Sequence, residues 1–136
     1  MGKGQVVDIA LFVLRIAIGV IFLAHGLQKL LGAFGGAGID GTTHMMSGLG
    51  FTPPEVWAWI LASAETVAGL FIILGIFPRL CATVIGIIMI VAITKVHGPK
   101  GFFMMQGGYE YQMMLLAVCI SLILTGGGRY SLFDKF

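Results

Sequence analysis

Four runs of apolar residues dominate this chain, and each is long enough to cross a lipid bilayer. They cover about residues 9–31, 56–77, 80–96 and 109–125. A transmembrane helix needs roughly 17–25 mainly apolar residues. In hydrocarbon the backbone polar groups of a span must also pair within the segment, which favours helices. The sequence therefore predicts an all-α polytopic membrane protein, a four-helix bundle that forms one domain over residues 1–136.

The composition agrees with a membrane location. Hydrophobic residues make up 58% of the chain and charged residues only 10%, whereas soluble domains carry roughly 25% charged residues. The net charge is +2 and no basic stripe is present, so nucleic acid is not expected as a partner. The predicted partner is the lipid bilayer.

The order of the runs predicts an orientation. Four spans bring both termini and the Pro78-Arg79 turn to one end of the bundle, called here the inner end. Lys3, Arg79 and Arg129 belong to that end. The positive-inside rule then favours cytoplasmic termini in the cell inner membrane.

Two ionisable residues lie deep inside the apolar runs, away from their ends. Arg15 lies in the first run and Glu65 in the second. A charge in the middle of a membrane costs at least about 2.5–3.5 kcal/mol, so such residues usually face a bundle interior and pair. The sequence predicts a structural ion pair between Arg15 and Glu65. It leaves open a functional role for Glu65 as a proton carrier.

Helical spacing places these charges on two particular faces. Residues three and four apart share a helix face, and small residues let membrane helices approach closely. The face on the first helix consists of Arg15, Gly19, Phe22, Gly26 and Lys29. The face on the second helix consists of Ala58, Ala62, Glu65 and Gly69. The face that carries Glu65 is therefore predicted to be a helix–helix contact face.

The end opposite the termini, called here the outer end, collects polar and aromatic side chains. They are His25, Lys29, Trp57, Lys95, His97, Glu110 and Tyr111. An interfacial aromatic belt and lysines that reach the lipid headgroups explain part of this set. We predict an outer cavity with Glu65, His25 and Glu110 in catalytic roles. Lys29, His97, Tyr111 and Trp57 are the predicted binding residues.

The connections between runs contain two further signals. Residues 40–47 are predicted to form a short helix that ends at Gly48. Thr52-Pro53-Pro54-Glu55 fits a capping box with Thr52 as the cap.

Metal chemistry has weak support in the sequence. Several methionines and histidines fall near the outer end and leave copper or haem open. Cys81 and Cys119 form no CxxC pair, and methionine also serves as an apolar filler. No metal site and no covalently bound cofactor is predicted.

An ordered set of motifs resembles a known family. In chain order these are LRIAIGVIFLAHGLQKL, FGGAGIDGT, LGFTPP, AETVAGLFIILGIFPRL, VHGPKGFF, GGYEY and GGGRYSL. Together they closely resemble the DoxX family of small bacterial and archaeal membrane proteins. The resemblance implies a four-helix membrane bundle associated with quinone-linked redox chemistry. The family's characteristic polar residues correspond to Arg15, His25, Gly26, Lys29, Glu65, Arg79, His97, Glu110 and Arg129.

Three functional hypotheses follow from the residues and the resemblance. The leading one is a membrane subunit of a quinone- or quinol-linked redox system, with quinone as its ligand and electron transfer through partner subunits. The second is a structural or assembly subunit of a larger membrane complex. The third is a small-molecule or ion carrier that acts as a homo-oligomer, because intramembrane carboxylates and histidines mark such pathways.

Overall fold

The computed structural model describes residues 1–135 and contains five α-helices. They are α1 (Lys3–Leu31), α2 (Gly38–Gly48), α3 (Pro54–Leu74), α4 (Pro78–Ala92) and α5 (Glu110–Thr125). Two of them, α1 and α3, are long and apolar enough to cross a membrane, and so is the segment Pro78–Lys100 that contains α4. α5 is a shorter apolar helix. The predicted fold class, an all-α membrane bundle, is confirmed.

The helices follow the predicted apolar runs but differ at their ends. α1 begins at Lys3, six residues earlier than predicted, because a helix can continue into water beyond its apolar part. α3 ends at Leu74, where Gly75 takes a left-handed conformation with φ of 71°. The predicted single domain stays a prediction, and its last residue, Phe136, lies outside the described residues.

α1 and α3 pack closely and antiparallel through their small-residue faces. Gly26 lies against Thr66, Leu23 against Gly69, and Gly19 against Ile73. A Cβ added at Gly26 would lie 2.5 Å from the Thr66 backbone nitrogen, too close for any other residue type without a shift. The predicted contact face on the second helix is therefore confirmed, its partner is the glycine-containing face of α1, and glycine is what permits the short interhelical distance.

α4 and α5 form the second close pair. Ile85, Cys119 and Leu122 are fully buried between the elements, and Gly86 faces Cys119 across this pair. The two pairs meet in one apolar core that includes Phe22. A larger opening remains between the pairs at the outer end.

α2 lies over this outer end. It packs against α1 and α3, and the Oγ1 atom of Thr42 lies 3.3 Å from the Lys29 carbonyl oxygen. The predicted short helix ending at Gly48 is confirmed. Met46, a residue of α2, is buried. The connection between α1 and α3 therefore contributes to the packed core of the outer end.

The predicted capping box is wrong. α3 begins at Pro54, with Pro53 at the N-cap and no side-chain capping bond. Proline disfavours helical geometry in the residue before it, and Pro53 is accordingly extended, with ψ of 135°. Thr52 is thereby moved one residue too far from the helix to cap it.

The predicted ion pair between Arg15 and Glu65 is also wrong. Arg15 is completely buried, and its guanidinium donates to the Ser131 hydroxyl and to the Tyr130 carbonyl oxygen. It lies against Gly75, the residue that follows α3. Leu74, the last residue of α3, is nine residues beyond Glu65, about 14 Å at 1.5 Å per residue. The antiparallel register therefore places the two charges at different depths.

The C-terminal segment that receives Arg15 is bound to the α3–α4 turn. The Phe133 amide donates to the Gly75 carbonyl at 2.9 Å, and the Phe77 amide donates to the Phe133 carbonyl at 2.8 Å. Asp134 accepts a bond from the Gly127 amide at 2.8 Å. Arg15 thus has a structural role at the inner end, where it fixes the C-terminal segment to the bundle.

Candidate functional site

A cavity of about 460 Å³ occupies the outer half of the bundle. All five helices contribute to its wall, and α2 covers it with Met45 and Met46. Its lining is mostly apolar. The polar or aromatic residues that line it are His25, Lys29, Trp57, Glu65, His97, Tyr111 and Gln112. Six of these seven were predicted as site residues from the sequence, and the structure brings those six together.

The wall formed by α1 and α3 carries an ion pair. Lys29 Nζ lies 2.8 Å from Glu65 Oε2. The side chain of Glu65 is only 5% exposed and that of Lys29 is 23% exposed. Because Gly26 lies against Thr66 in these antiparallel helices, Glu65 lies opposite Leu27. Lys29 is two residues closer to the outer end of α1, which is about half a helical turn. The long lysine side chain therefore reaches back to the carboxylate and neutralises it.

The facing wall, formed by α4 and α5, carries His97 and Gln112. His97 ends a single π-helical turn, Ile93–His97, that continues α4. Its Nδ1 lies 2.7 Å from the Gly107 carbonyl oxygen. A carbonyl oxygen only accepts, so Nδ1 carries the hydrogen in this arrangement. In the neutral ring, Nε2 then accepts from the Gln112 side-chain amide at 3.1 Å.

This bond leaves one polar atom in the wall without a partner. Gln112 Oε1 is buried and accepts no hydrogen bond from any described residue. A buried acceptor without a donor costs about 1–3 kcal/mol. Gln112 lines the cavity, so a rotation of its side chain would present this acceptor to a bound ligand.

The remaining predicted site residues occupy different positions. His25 lies at the mouth and is exposed. Trp57 stacks obliquely on Phe51, with ring centroids 5.5 Å apart. Glu110 does not line the cavity in the described chain. Its Oε1 accepts the Met104 amide hydrogen at 2.9 Å, because Glu110 begins α5 and its side chain turns back toward the preceding loop. Its predicted place in the cavity is wrong.

A model of the family named DoxX matches residues 10–98 of this chain. The matched part contains the α1–α3 ion pair and His97. The chain belongs to the DoxX family.

Curated relatives of this DoxX protein agree with a membrane location. It is 31% identical over 95% of its length to the "Putative oxidoreductase CatD" of Bacillus subtilis, of which the match covers 87%. It is 34% identical over 56% of its length to the "Inner membrane protein YphA" of Escherichia coli, with 50% of that protein covered. An uncharacterized membrane protein of Mycobacterium tuberculosis is 28% identical, with 88% of this chain and 76% of that protein covered. No solved structure gives a significant match.

Sequence reasoning missed Gln112 in this DoxX protein. A glutamine in the first turns of an apolar helix is an ordinary residue for the membrane interface, so its type carries no signal. The spacing of Gln112 does carry a signal. Gln112 and Leu115 are three residues apart and therefore share the face of α5 that lines the cavity. The partner, His97, is fifteen residues earlier and meets Gln112 only through the fold.

Metal ligands do not converge in the described part of this DoxX chain. Among residues 1–135, no group of three or more His, Cys, Asp or Glu side chains is placed to hold a metal ion. Of the outer-end methionines, Met105 is 97% exposed and Met104 is 54% exposed. The catalytic and binding roles of the cavity residues stay predictions.

Proposed function

We propose that this DoxX protein is a quinone-binding membrane subunit of a redox system, and that the outer cavity holds the quinone headgroup. The observation that carries the proposal is an apolar cavity with a cationic donor, Lys29, on one wall and a buried acceptor without a partner, Gln112 Oε1, within the facing wall. A quinone or quinol ring needs an apolar slot with a few polar groups at its oxygens. The volume of about 460 Å³ lies within the usual range for small-molecule sites, about 300–1,000 Å³.

The polar atoms of the two walls suit the two oxygens of such a ring. The Lys29 ammonium has three hydrogens, and only one is directed to Glu65. Another is free to donate to a carbonyl or hydroxyl oxygen of the ligand. On the facing wall, Gln112 Oε1 accepts from a ligand hydroxyl, which supplies the donor that this buried atom lacks.

The same residues can receive the protons of a quinol. Oxidation of a quinol to a quinone releases two electrons and two protons. One proton goes to the Glu65 carboxylate, which is held beside the ligand by Lys29. The other goes to His97, which also lines the cavity, at its unprotonated Nε2 once the Gln112 amide turns aside, and then to solvent at the outer loop. Histidine and carboxylate side chains are common proton carriers.

The electrons go to a redox cofactor on a partner subunit. The chain contains no iron–sulfur or haem-attachment motif, so a second protein completes the reaction in this proposal. The name of the Bacillus subtilis relative, "Putative oxidoreductase CatD", supports a redox association. Structural, assembly and carrier roles stay alternatives.

The location proposed is the cell inner membrane, with both termini in the cytoplasm. The name of the Escherichia coli relative supports the inner membrane. The positive charges of Lys3, Arg79 and Arg129 at the inner end support the orientation. Cysteine labelling at position 40, introduced after both native cysteines are replaced, distinguishes the two orientations. Labelling from the cytoplasm contradicts the proposed one.

The experiment that tests the function is purification from native membranes in mild detergent. We expect the chain to retain extractable quinone and to copurify with a subunit that carries a flavin, haem or iron–sulfur cluster. Mass spectrometry and the absorption spectrum identify both. Purified protein that holds no quinone and associates with no redox subunit contradicts the proposal. A stable association with subunits lacking redox cofactors supports the assembly role.

A further inference from the structure

A second apolar groove extends the outer cavity along the bundle surface. It has a volume of about 290 Å³ and lies between α3 and α4. Its lining residues are Ala64, Val67, Ala68, Phe71, Phe77, Leu80, Cys81 and Val84. Ala64 and Val84 line the outer cavity as well as the groove. The two openings therefore adjoin each other at these two residues, and together they are called here the crevice.

The crevice runs along most of α3. Trp57 marks its outer end in the cavity, and Phe77 marks its inner end after α3. From Trp57 to Leu74, the end of α3, seventeen residues of helix span about 26 Å, which is most of the roughly 30 Å of the hydrocarbon core. The crevice is therefore long enough to hold an extended apolar chain.

The groove is open to the side of the bundle that faces lipid. Val67 on α3 is 50% exposed, and Leu80 on α4 is 54% exposed. Each of the eight lining residues is apolar. A ligand that combines a small polar ring with a long apolar chain matches this arrangement, because the ring fits the polar cavity and the chain fits the adjoining groove.

We propose that the α3–α4 groove binds the isoprenoid tail of a membrane quinone, whose headgroup reaches the cavity sideways from the bilayer between these helices. This inference rests on the proposed function, since it takes the headgroup site as given. The position of the groove directly beside the polar cavity, with Ala64 and Val84 lining both, favours the quinone tail over the acyl chain of a phospholipid. The tail is held by contact with side chains rather than by the hydrophobic effect, because the lipid outside is equally apolar.

The test fills the groove from both walls while it leaves the cavity residues unchanged. The variant is Val67→Phe with Leu80→Trp, because neither residue lines the cavity. The matched control is Val13→Phe with Leu124→Trp. Val13 and Leu124 are 57% and 74% exposed and line neither opening. A comparison of thermal unfolding in lipid nanodiscs selects variants that fold as the native chain does. If the double variant does not fold, Val67→Phe alone replaces it, with Val13→Phe as its control.

Two probes separate the tail from the headgroup. They are a benzoquinone without a tail and the same benzoquinone with a long isoprenoid tail, both titrated at one fixed lipid concentration. We expect the variant to weaken binding of the long-tailed quinone about fivefold to tenfold relative to the control, as expected for lost packing of a few side chains. Binding of the tail-less quinone is unchanged.

Other outcomes overturn the inference. Equal affinity of the variant and the control for the long-tailed quinone shows that the groove does not hold the tail, and the proposed function is then unaffected. Displacement of copurified phospholipid by the variant, with no change for the long-tailed quinone, assigns the groove to an acyl chain. If neither quinone binds the native protein, the proposed function fails and the groove inference fails with it.

Discussion

Lys29 and Glu65 form an ion pair of 2.8 Å across the α1–α3 contact, inside a wall that is mostly apolar. The sequence contains both charges but suggests a different partner for the carboxylate. Glycines on both helices set an interhelical register that brings Lys29 to Glu65 and separates Arg15 from it. Because of this register, the Lys29–Glu65 pair lines the cavity and Arg15 binds the C-terminal segment at the inner end.

The ion pair predicts strong coupling between its two residues. Lys29→Met or Glu65→Met alone leaves an uncompensated charge in an apolar wall, so we expect each to lower the free energy of unfolding by about 1–3 kcal/mol. The double variant replaces the pair with apolar side chains and should regain most of this loss. Reversible unfolding in mixed micelles measures the four free energies. Additive losses in the double variant contradict the pairing.

The close contact of α1 with α3 predicts a position-dependent effect of a single methyl group. Gly26→Ala places its Cβ against the Thr66 backbone, and overpacking of this kind costs about 1–3 kcal/mol. Gly4→Ala in the same helix meets nothing within 4 Å and is expected to be neutral or slightly stabilising. Thermal unfolding of both variants checks this contrast. Equal stability would mean that the two helices are further apart.

The burial of Arg15 predicts that it holds the C-terminal segment. In Arg15→Met the bonds to Ser131 and Tyr130 are lost. We expect the amide of Phe133 to exchange with deuterium at least about tenfold faster, since loss of a hydrogen-bonded charge costs about 1.5–3 kcal/mol. Arg129→Met is the control, because Arg129 uses only its backbone amide in the bond to Asp8. Unchanged exchange at Phe133 in Arg15→Met contradicts this role.

The His97–Gln112 pair predicts one particular tautomer. With Nδ1 bonded to the Gly107 carbonyl, the neutral ring should show a protonated Nδ1 and an unprotonated Nε2 in ¹⁵N spectra of labelled histidine. Gln112→Leu removes the donor to Nε2 and should shift only the Nε2 resonance. Loss of this amide should also weaken quinol binding about fivefold to tenfold, as for one hydrogen bond. A protonated Nε2 in the native protein contradicts the geometry.

Much of this fold follows from local pattern. The apolar runs and the spacing of Gly19, Gly26 and Gly69 fix which segments are helical and which faces meet, because both depend on residues within one helix. The collection of polar residues at the outer end follows from helix direction alone. For this reason His25, Lys29, Glu65, His97, Tyr111 and Trp57 were found without the structure.

Pairing across helices could not be predicted in the same way. The register of α1 on α3 depends on close backbone contact, and a shift of a few residues would pair Glu65 with a different base. Two features depend on the outer loop between α4 and α5. One is the π-helical turn that brings His97 to Gln112, and the other is the bond of Glu110 to the Met104 amide, which holds its side chain away from the cavity. Neither leaves a periodic signal in the sequence.

The central claim, that the outer cavity binds a quinone ring, is tested most directly by the fluorescence of Trp57. The chain has two tryptophans, of which Trp57 lines the cavity and Trp59 does not, so Trp59→Phe leaves a single reporter at the site. Titration of this variant in nanodiscs with a tail-less benzoquinone should give saturable quenching. Its half-point should rise about tenfold when Lys29 and Glu65 are both replaced by methionine. Unsaturable quenching, equal to that of the Trp57→Phe control, would contradict the account.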